Sequence, residues 1–491
     1  MSTNTGTTNR PADKPDAGTY EALMARKGEI IRKAVGIDYS RFESGSIAFD
    51  YEGMMKSTGY SLDEVREIQS RTGVGNTPLL ELRNISELAR RYAPAGKGAR
   101  IFLKDEASNP SGSFKARRAA TSVYHARKLG FTGVIAATSG NYGAAVASQA
   151  AMHGLDCIVV QECFDSRGTG QPEIIEKARK CEALGAEVLQ LTVGPELFYI
   201  FLKLLEETGF FNASLYTPFG VSGIETLGIE LYDQIRAVTG TGPDAVVVTN
   251  AGGGNLTGTA RGLRAAGSAD TEIIAASVNL EGLNMASDTQ FNRKSFTTGH
   301  TGFGIPFTTF PDRSDVPRSA ARPLRYMDRY VTVRQGEVFY MTEALARLEG
   351  LERGPAGSVS LAAAFSIAQE MDRDQTIVVQ ETEYTGAGKH VQPQLAFARE
   401  NGIDLRIGDP RGEKPGTVIV LPADPSMISA QDLTLLDLRR SYVKHALRFA
   451  RERLGGAKTV ETTAEDKEFL EAETRSSREE VEELLREELP A

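Results

Sequence analysis

The chain has 491 residues, 41% of them hydrophobic and 25% charged, the balance of a soluble globular protein with room for roughly two or three domains. Its net charge of −9 argues against a general nucleic-acid binder. It has no apolar run of about eighteen residues that would span a membrane and no apolar leader for secretion. Cys157, Cys163 and Cys181 are odd in number and lack C-x-x-C spacing, so they read as reduced thiols of a cytoplasmic protein, with no disulfide framework and no metal site expected.

Residues 1–18 are polar and read as a disordered N-terminus. Residues 19–74 read as a helical N-terminal extension. "NPSGSFKARRAA" (109–120) follows as a turn that becomes a helix. Ser113 is placed to cap that helix, and Ala116, Ala119, Ala120 and Val123 give it an apolar face. Lys115 then falls in the first turn, where the helix dipole already carries partial positive charge and a structural cation is poorly placed.

Beyond it the pattern alternates. "GVIAA" (133–137) is a strand, and 142–152 is a helix with Gly154 behind it. Residues 156–162 are a strand and 172–184 a helix stopped by Gly185. "EVLQLT", "PELFYIFLKLLEET", "DAVVVTN", "EIIAASV" and "QTIVVQE" continue the series. Short apolar runs between helices predict buried parallel strands and an α/β fold. The alternation breaks over 279–329, a segment rich in Phe, Gly and Arg that reads as an ordered active-site or interface insertion. Residues 456–490 are Glu-rich and helix-forming, either docked through their apolar positions or solvated.

Three glycine-rich stretches follow strands: "TSGNYG" (138–143), "NAGGGNLTG" (250–258) and "TGAGKH" (385–390). In an α/β sheet the carboxyl ends of strands are where ligands bind, and glycines let backbone N–H groups approach an anion at a helix N-terminus. A P-loop is excluded, because Glu383 stands where its first glycine is needed and His390 where Ser or Thr is needed. A phosphate cradle, an isolated lysine and a Ser/Asn loop suit pyridoxal 5'-phosphate (PLP) instead. A helix N-terminus and a desolvated pocket lower a lysine's pKa, so Lys115 is acceptable there as a neutral nucleophile.

"GNTPLLEL" (75–82), "NPSGSFKARRA", "TSGNYGAA", "NAGGGNLTG" and "TGAGK" occur in an order that resembles the fold type II PLP enzymes, the group of threonine synthase and the tryptophan synthase β subunit. The resemblance covers roughly 75–408 and implies two three-layer α/β domains with the cofactor between them. Residues 75–116 and 216–408 would form the large PLP-binding domain, 117–215 a small mobile domain, and 409–491 a C-terminal extension with a helical tail. Lys115 would bind the cofactor covalently, and Asn141 would bond its ring hydroxyl. Gly252, Gly253, Gly254, Asn255, Leu256 and Thr257 would hold the phosphate, and Thr385 would face the ring nitrogen. Thr138, Ser139, Gly140 and Tyr142 would line the substrate carboxylate site. The chain departs from many relatives at Gly354, where an acidic residue is expected, so no role for an acid carries over there.

"ARKGEIIRKAVGIDY", "SDTQFNRKSFTTGHTGFGIPF" and "VVQETEYTGAGKH" further resemble the family of PLP-bearing large (beta) subunits of 2-amino-4-ketopentanoate thiolase. That resemblance implies thiolytic cleavage with coenzyme A to acetyl-CoA and alanine in ornithine degradation, a small alpha subunit as partner, and an oligomer. The reaction needs an oxyanion site and a thiol acceptor. The insertion offers His300, with Arg293, Thr297 and Thr298, and Cys163 is an acyl carrier or, as the blander reading, a buried structural thiol. His125, His153 and His445 read as packing or surface residues. A β-elimination or β-replacement enzyme shares every cofactor motif, and a PLP-binding regulatory subunit without turnover is a third reading.

Overall fold

A computed structural model describes residues 18–138, 140–194, 196–214, 216–280, 291–297, 316, 321–384, 391–455 and 460–488. Expectations for residues 1–17, for Ser139, for Thr298 and His300, and for Thr385 lie outside the described residues.

The apolar runs 101–103, 245–248, 273–276, 330–333 and 377–379 are the centre of one seven-stranded sheet. Its order is Leu79–Glu81, Arg100–Asp105, Thr376–Glu381, Ala245–Thr249, Glu272–Val278, Arg329–Val333 and Gln431–Asp432. The inner pairings are parallel, and the two short edge strands are antiparallel. In register, Ile377 stands between Ile101 on one side and Ala245 on the other. Parallel strands of this kind need helices on both faces, which explains their unbroken Val and Ile. Val247, Ile274, Ile377 and Val379 pack on helices that include Gln335–Glu349 and Pro355–Ala368. Val246, Val248 and Val378 pack on Pro218–Thr239 and Gly254–Ala265.

A second, parallel sheet has the order Glu187–Thr192, Asp156–Phe164, Gly133–Thr138 and Phe211–Asn212. Ile30, Ile31 and Val35 of the early helix Lys27–Val35 belong to the same core as this sheet, so part of the N-terminal segment covers it. Glu187–Thr192 corrects the expectation of a buried strand. It is an edge strand with exposed or half-buried positions throughout, because among the described residues no further strand pairs beyond it.

The Glu-rich tail forms Ala464–Thr474 and Arg478–Glu488. Its Leu470, Val481, Leu484 and Leu485 pack with Ile47, Val443 and Leu447. The docked reading of the tail is therefore the one observed. Among the described residues no helix is long and apolar enough to cross a membrane.

Candidate active site

Lys115 is the first residue of the helix Lys115–Lys128. Ser113 does not cap that helix, contrary to expectation. Its hydroxyl is buried without a hydrogen-bond partner, and the Ala116 N–H donates to the Ser113 carbonyl oxygen at 3.1 Å instead. The residues around it are occupied by a neighbouring segment. Phe114 N–H donates to the Thr382 carbonyl (3.1 Å), Tyr384 N–H donates to the Gly112 carbonyl (2.7 Å), and Ser113 forms an antiparallel bridge with Glu383. The chain leaving the central strand Thr376–Glu381 is thus fastened alongside the loop that presents Lys115, and this chain leads directly to Thr385.

The glycine loop follows the strand Ala245–Thr249 and ends in the helix Gly254–Ala265. Gly253 caps that helix with φ +80°, the left-handed region that favours glycine. Each glycine of the run is also crowded by a neighbouring side chain. A Cβ on Gly252 would overlap the Tyr216 hydroxyl, one on Gly253 the Pro323 ring, and one on Gly254 the Arg118 guanidinium. Leu256 points into the core and offers the site only its backbone. The Asn255 amide donates to Gln380 Oε1 (2.8 Å), while its carbonyl oxygen is buried without a partner. The Thr257 hydroxyl accepts from the Arg322 N–H (3.1 Å). Arg322 is itself held by Glu473 of the tail (2.6 Å) and Glu52 of the N-terminal segment (3.1 Å), so both extensions brace the turn that lies on Gly253.

Asn141 opens the helix Asn141–His153. It is 2% exposed, and neither polar atom of its carboxamide has a hydrogen-bond partner. Before it, Gly140 N–H donates to the Thr138 hydroxyl (3.0 Å), and a Cβ on Gly140 would lie 3.2 Å from Lys177 Nζ. Tyr142 is buried and donates to the Ser214 carbonyl (3.4 Å).

Two groups of buried charge flank the Lys115 loop, and both start from consecutive residues of one strand end. Arg117 donates to Glu106 (2.7 and 2.8 Å) and Glu230 (3.1 Å), and Lys104 pairs with Glu230 (2.5 Å). Burial pushes the Glu230 carboxyl up, but Arg117 and Lys104 outweigh it and hold it at about 2. The same carboxylate accepts from the backbone of Asn76 and Thr77 (both 2.8 Å), which fastens the "GNTP" turn. On the other side of the strand Asp105 pairs with Arg353 (2.6 Å). Glu381, fully buried, reaches into the space left by Gly357, and Glu383 Oε1 lies 3.0 Å from where a Cβ on Gly354 would be. Burial, then Glu383 and Asp105, raise the Glu381 carboxyl well above its ordinary range, with Arg353 opposing. One carboxylate, that of Glu383, therefore does approach Gly354, from the segment that follows the strand Thr376–Glu381.

Among the remaining candidates, Cys163 is buried in an apolar cluster and burial pushes its thiol up to about 12, which suits packing rather than nucleophilic chemistry. His125 stacks on Phe219 with centroids 4.0 Å apart, and burial pulls it down to about 4. Thr297 is buried, and Arg293 half-buried. Arg118 and the Glu381 group were missed from sequence. The signal for Arg118 was its i+3 spacing from Lys115, which puts both on one face of the helix.

A lysine at a helix start, a strand–glycine loop–helix cradle and a buried carboxamide lacking partners fit an aromatic aldehyde that carries a phosphate and a ring hydroxyl. Residues 70–383 match the family described as pyridoxal-phosphate dependent enzyme, and the chain belongs to that family, with the fold type II architecture of its α/β sheets. The chain is 68% identical over 469 residues to the 2-amino-4-ketopentanoate thiolase beta subunit of Acetoanaerobium sticklandii, covering 96% of this chain and 98% of that protein. A second 2-amino-4-ketopentanoate thiolase beta subunit, from an unknown prokaryotic organism, is 63% identical over 468 residues, 95% of this chain and 98% of the relative. The tryptophan synthase beta chain of Bacillus subtilis is 26% identical over 318 residues, 57% of this chain and 76% of its own.

Proposed function

We propose that the chain is the PLP-bearing catalytic subunit of a 2-amino-4-ketopentanoate thiolase, which cleaves that substrate with coenzyme A to acetyl-CoA and alanine in the cytoplasm, together with a small alpha subunit. The observation that carries this reading is the 68% identity across nearly the whole length of both chains. PLP, when bound, supplies an electron sink that stabilises negative charge on the carbon beside the substrate nitrogen. In this reading Lys115 holds the cofactor aldehyde and then moves the Cα proton. Asn141 supplies the partner of the ring hydroxyl, the 252–257 turn receives the phosphate, and Thr385 meets the ring nitrogen. Thr138, Ser139, Gly140 and Tyr142 receive the substrate carboxylate. His300 is assigned to the acyl-transfer step, where an oxyanion must be stabilised. The segment 117–215, which contains the second sheet, is assigned to closure over the substrate, since its Asn141 and the glycine loop of the larger sheet would grip one ligand from two sides.

The test couples two readouts. Protein with its small partner should form acetyl-CoA from 2-amino-4-ketopentanoate and coenzyme A. Alone, it should exchange the α-hydrogen of alanine with deuterated water, and Lys115→Ala should abolish that exchange. Borohydride should fix the pyridoxyl group on Lys115. His300→Ala should harm thioester formation more than exchange. Pyruvate or a new thioether amino acid from an O-substituted serine, without acetyl-CoA, would instead identify a β-elimination or β-replacement enzyme.

A further inference from the structure

Arg117 and Arg118 are adjacent in sequence and opposite in surroundings. Arg117 turns away from the glycine loop into Glu106 and Glu230, and these carboxylates raise its pKa although burial opposes them. Arg118 lies one helical turn beyond Lys115 on the same face, is 3% exposed, and ends on the glycine loop. Its Nη2 occupies the place a Cβ of Gly254 would need. Its guanidinium carbon lies 5.8 Å from the centroid of the Tyr216 ring, whose hydroxyl rests on Gly252 in the same way. Arg118 and Tyr216 together therefore form a lid over Gly252–Gly254, at the positive end of the Gly254–Ala265 helix.

A guanidinium packed on a helix N-terminus meets charge of its own sign. An anion placed between them reverses that, since it takes the backbone N–H groups from one side and the planar fork of the arginine from the other. In the same first turn the Asn255 side-chain amide N–H donates to Gln380 Oε1 (2.8 Å), which leaves backbone N–H groups and Arg118 as donors toward an anion there. We propose that Arg118 is the cation that pairs with the cofactor phosphate, so that one face of one helix holds both ends of PLP, the aldehyde at Lys115 and the phosphate at Arg118. The inference rests on the reading that Lys115 and the glycine loop bind PLP. It makes Arg118 a binding residue for the phosphate and leaves the aldehyde chemistry to Lys115.

The experiment compares PLP with pyridoxal, which lacks the phosphate, on apoprotein of the native chain, Arg118→Met and Arg118→Lys, followed by the absorbance of the bound cofactor. Arg118→Met should weaken PLP by roughly 10- to 100-fold, the loss of a charge-assisted contact, and leave pyridoxal within about 3-fold. Arg118→Lys should keep the charge, lose the fork, and fall between the two. Inorganic phosphate should strengthen pyridoxal binding to the native apoprotein, and this synergy should weaken in Arg118→Lys, which decides the matter should Arg118→Met fail to fold. Unchanged PLP affinity and unchanged synergy in Arg118→Lys, or equal weakening of PLP and pyridoxal, would overturn the assignment. Neither result would touch the wider reading, which fails only if the native chain binds no PLP or carries it on another lysine.

Discussion

The strand Arg100–Asp105 and the residue after it send Lys104 and Glu106 into one buried charge cluster and Asp105 into another, and the two are settled differently. In the first, Arg117 and Lys104 face Glu106 and Glu230, two cations against two carboxylates, and Glu230 is held ionised down to about 2. In the second, Glu383 and Asp105 act on the buried Glu381 with Arg353 opposing them, and Glu381 is pushed well above the usual carboxylate range. Burial penalises the charged form in both places, so the local balance of charge decides the protonation state. The balanced cluster fixes the "GNTP" turn and the helix of Lys115. The unbalanced one lies against the segment bridged to Ser113, two residues from Lys115, and strongly perturbed acids of this kind gather at functional sites.

The largest effect should come from breaking the balanced cluster. Arg117→Met leaves Glu106 and Glu230 buried beside a methyl group, and should cost roughly 3–5 kcal/mol of stability, read by urea denaturation. A cost under about 1 kcal/mol would show that this network does not anchor the fold.

The next effect is acid sensitivity. Glu230 has a folded pKa below its unfolded value, so its contribution is present above about pH 4.5 and is lost as pH falls through about 2. At about 1.4 kcal/mol per pKa unit this is on the order of 3 kcal/mol. Glu230→Gln should be less stable at neutral pH and should have a flatter acid limb in the same urea titration.

The smallest effect belongs to Glu381. Its folded pKa is raised, so its contribution is present below about pH 4.5 and is lost as pH rises through the folded value. Glu381→Gln imitates the protonated acid and should lie within about 1 kcal/mol of the native chain below about pH 4.5. It should lose less stability than the native chain as pH rises above about 4.5. A large loss at neutral pH would mean that Glu381 is ionised, and would erase the contrast between the clusters.

Much of the fold was legible because its signals are local. Runs such as "DAVVVTN" and "EIIAASV" are apolar on both faces, which only a covered parallel strand tolerates. The place of Lys115 in a first helical turn and the opening of a helix after "NAGGG" follow from turn chemistry within a few residues. Where local signals competed with a distant segment, reading them failed. Ser113 has the composition of a cap, yet the chain at 382–384 takes the hydrogen bonds around it. Glu187–Thr192 has the composition of its neighbours, yet stands at an edge.

By itself the sequence determined the α/β alternation, the glycine loops at strand ends and the isolated lysine, because backbone sterics and apolar periodicity act over a few residues. Only the tertiary structure decided which arginine of "KARR" turns to carboxylates and which to the glycine loop. It alone decided that Glu381 is an acid among acids, and that Glu473 of the tail reaches back to Arg322. A charge buried at low dielectric takes its energy from whatever lies within a few ångströms in space, and Glu230 beside Arg117, Glu473 beside Arg322 and Arg353 beside Asp105 each come from segments more than a hundred residues away.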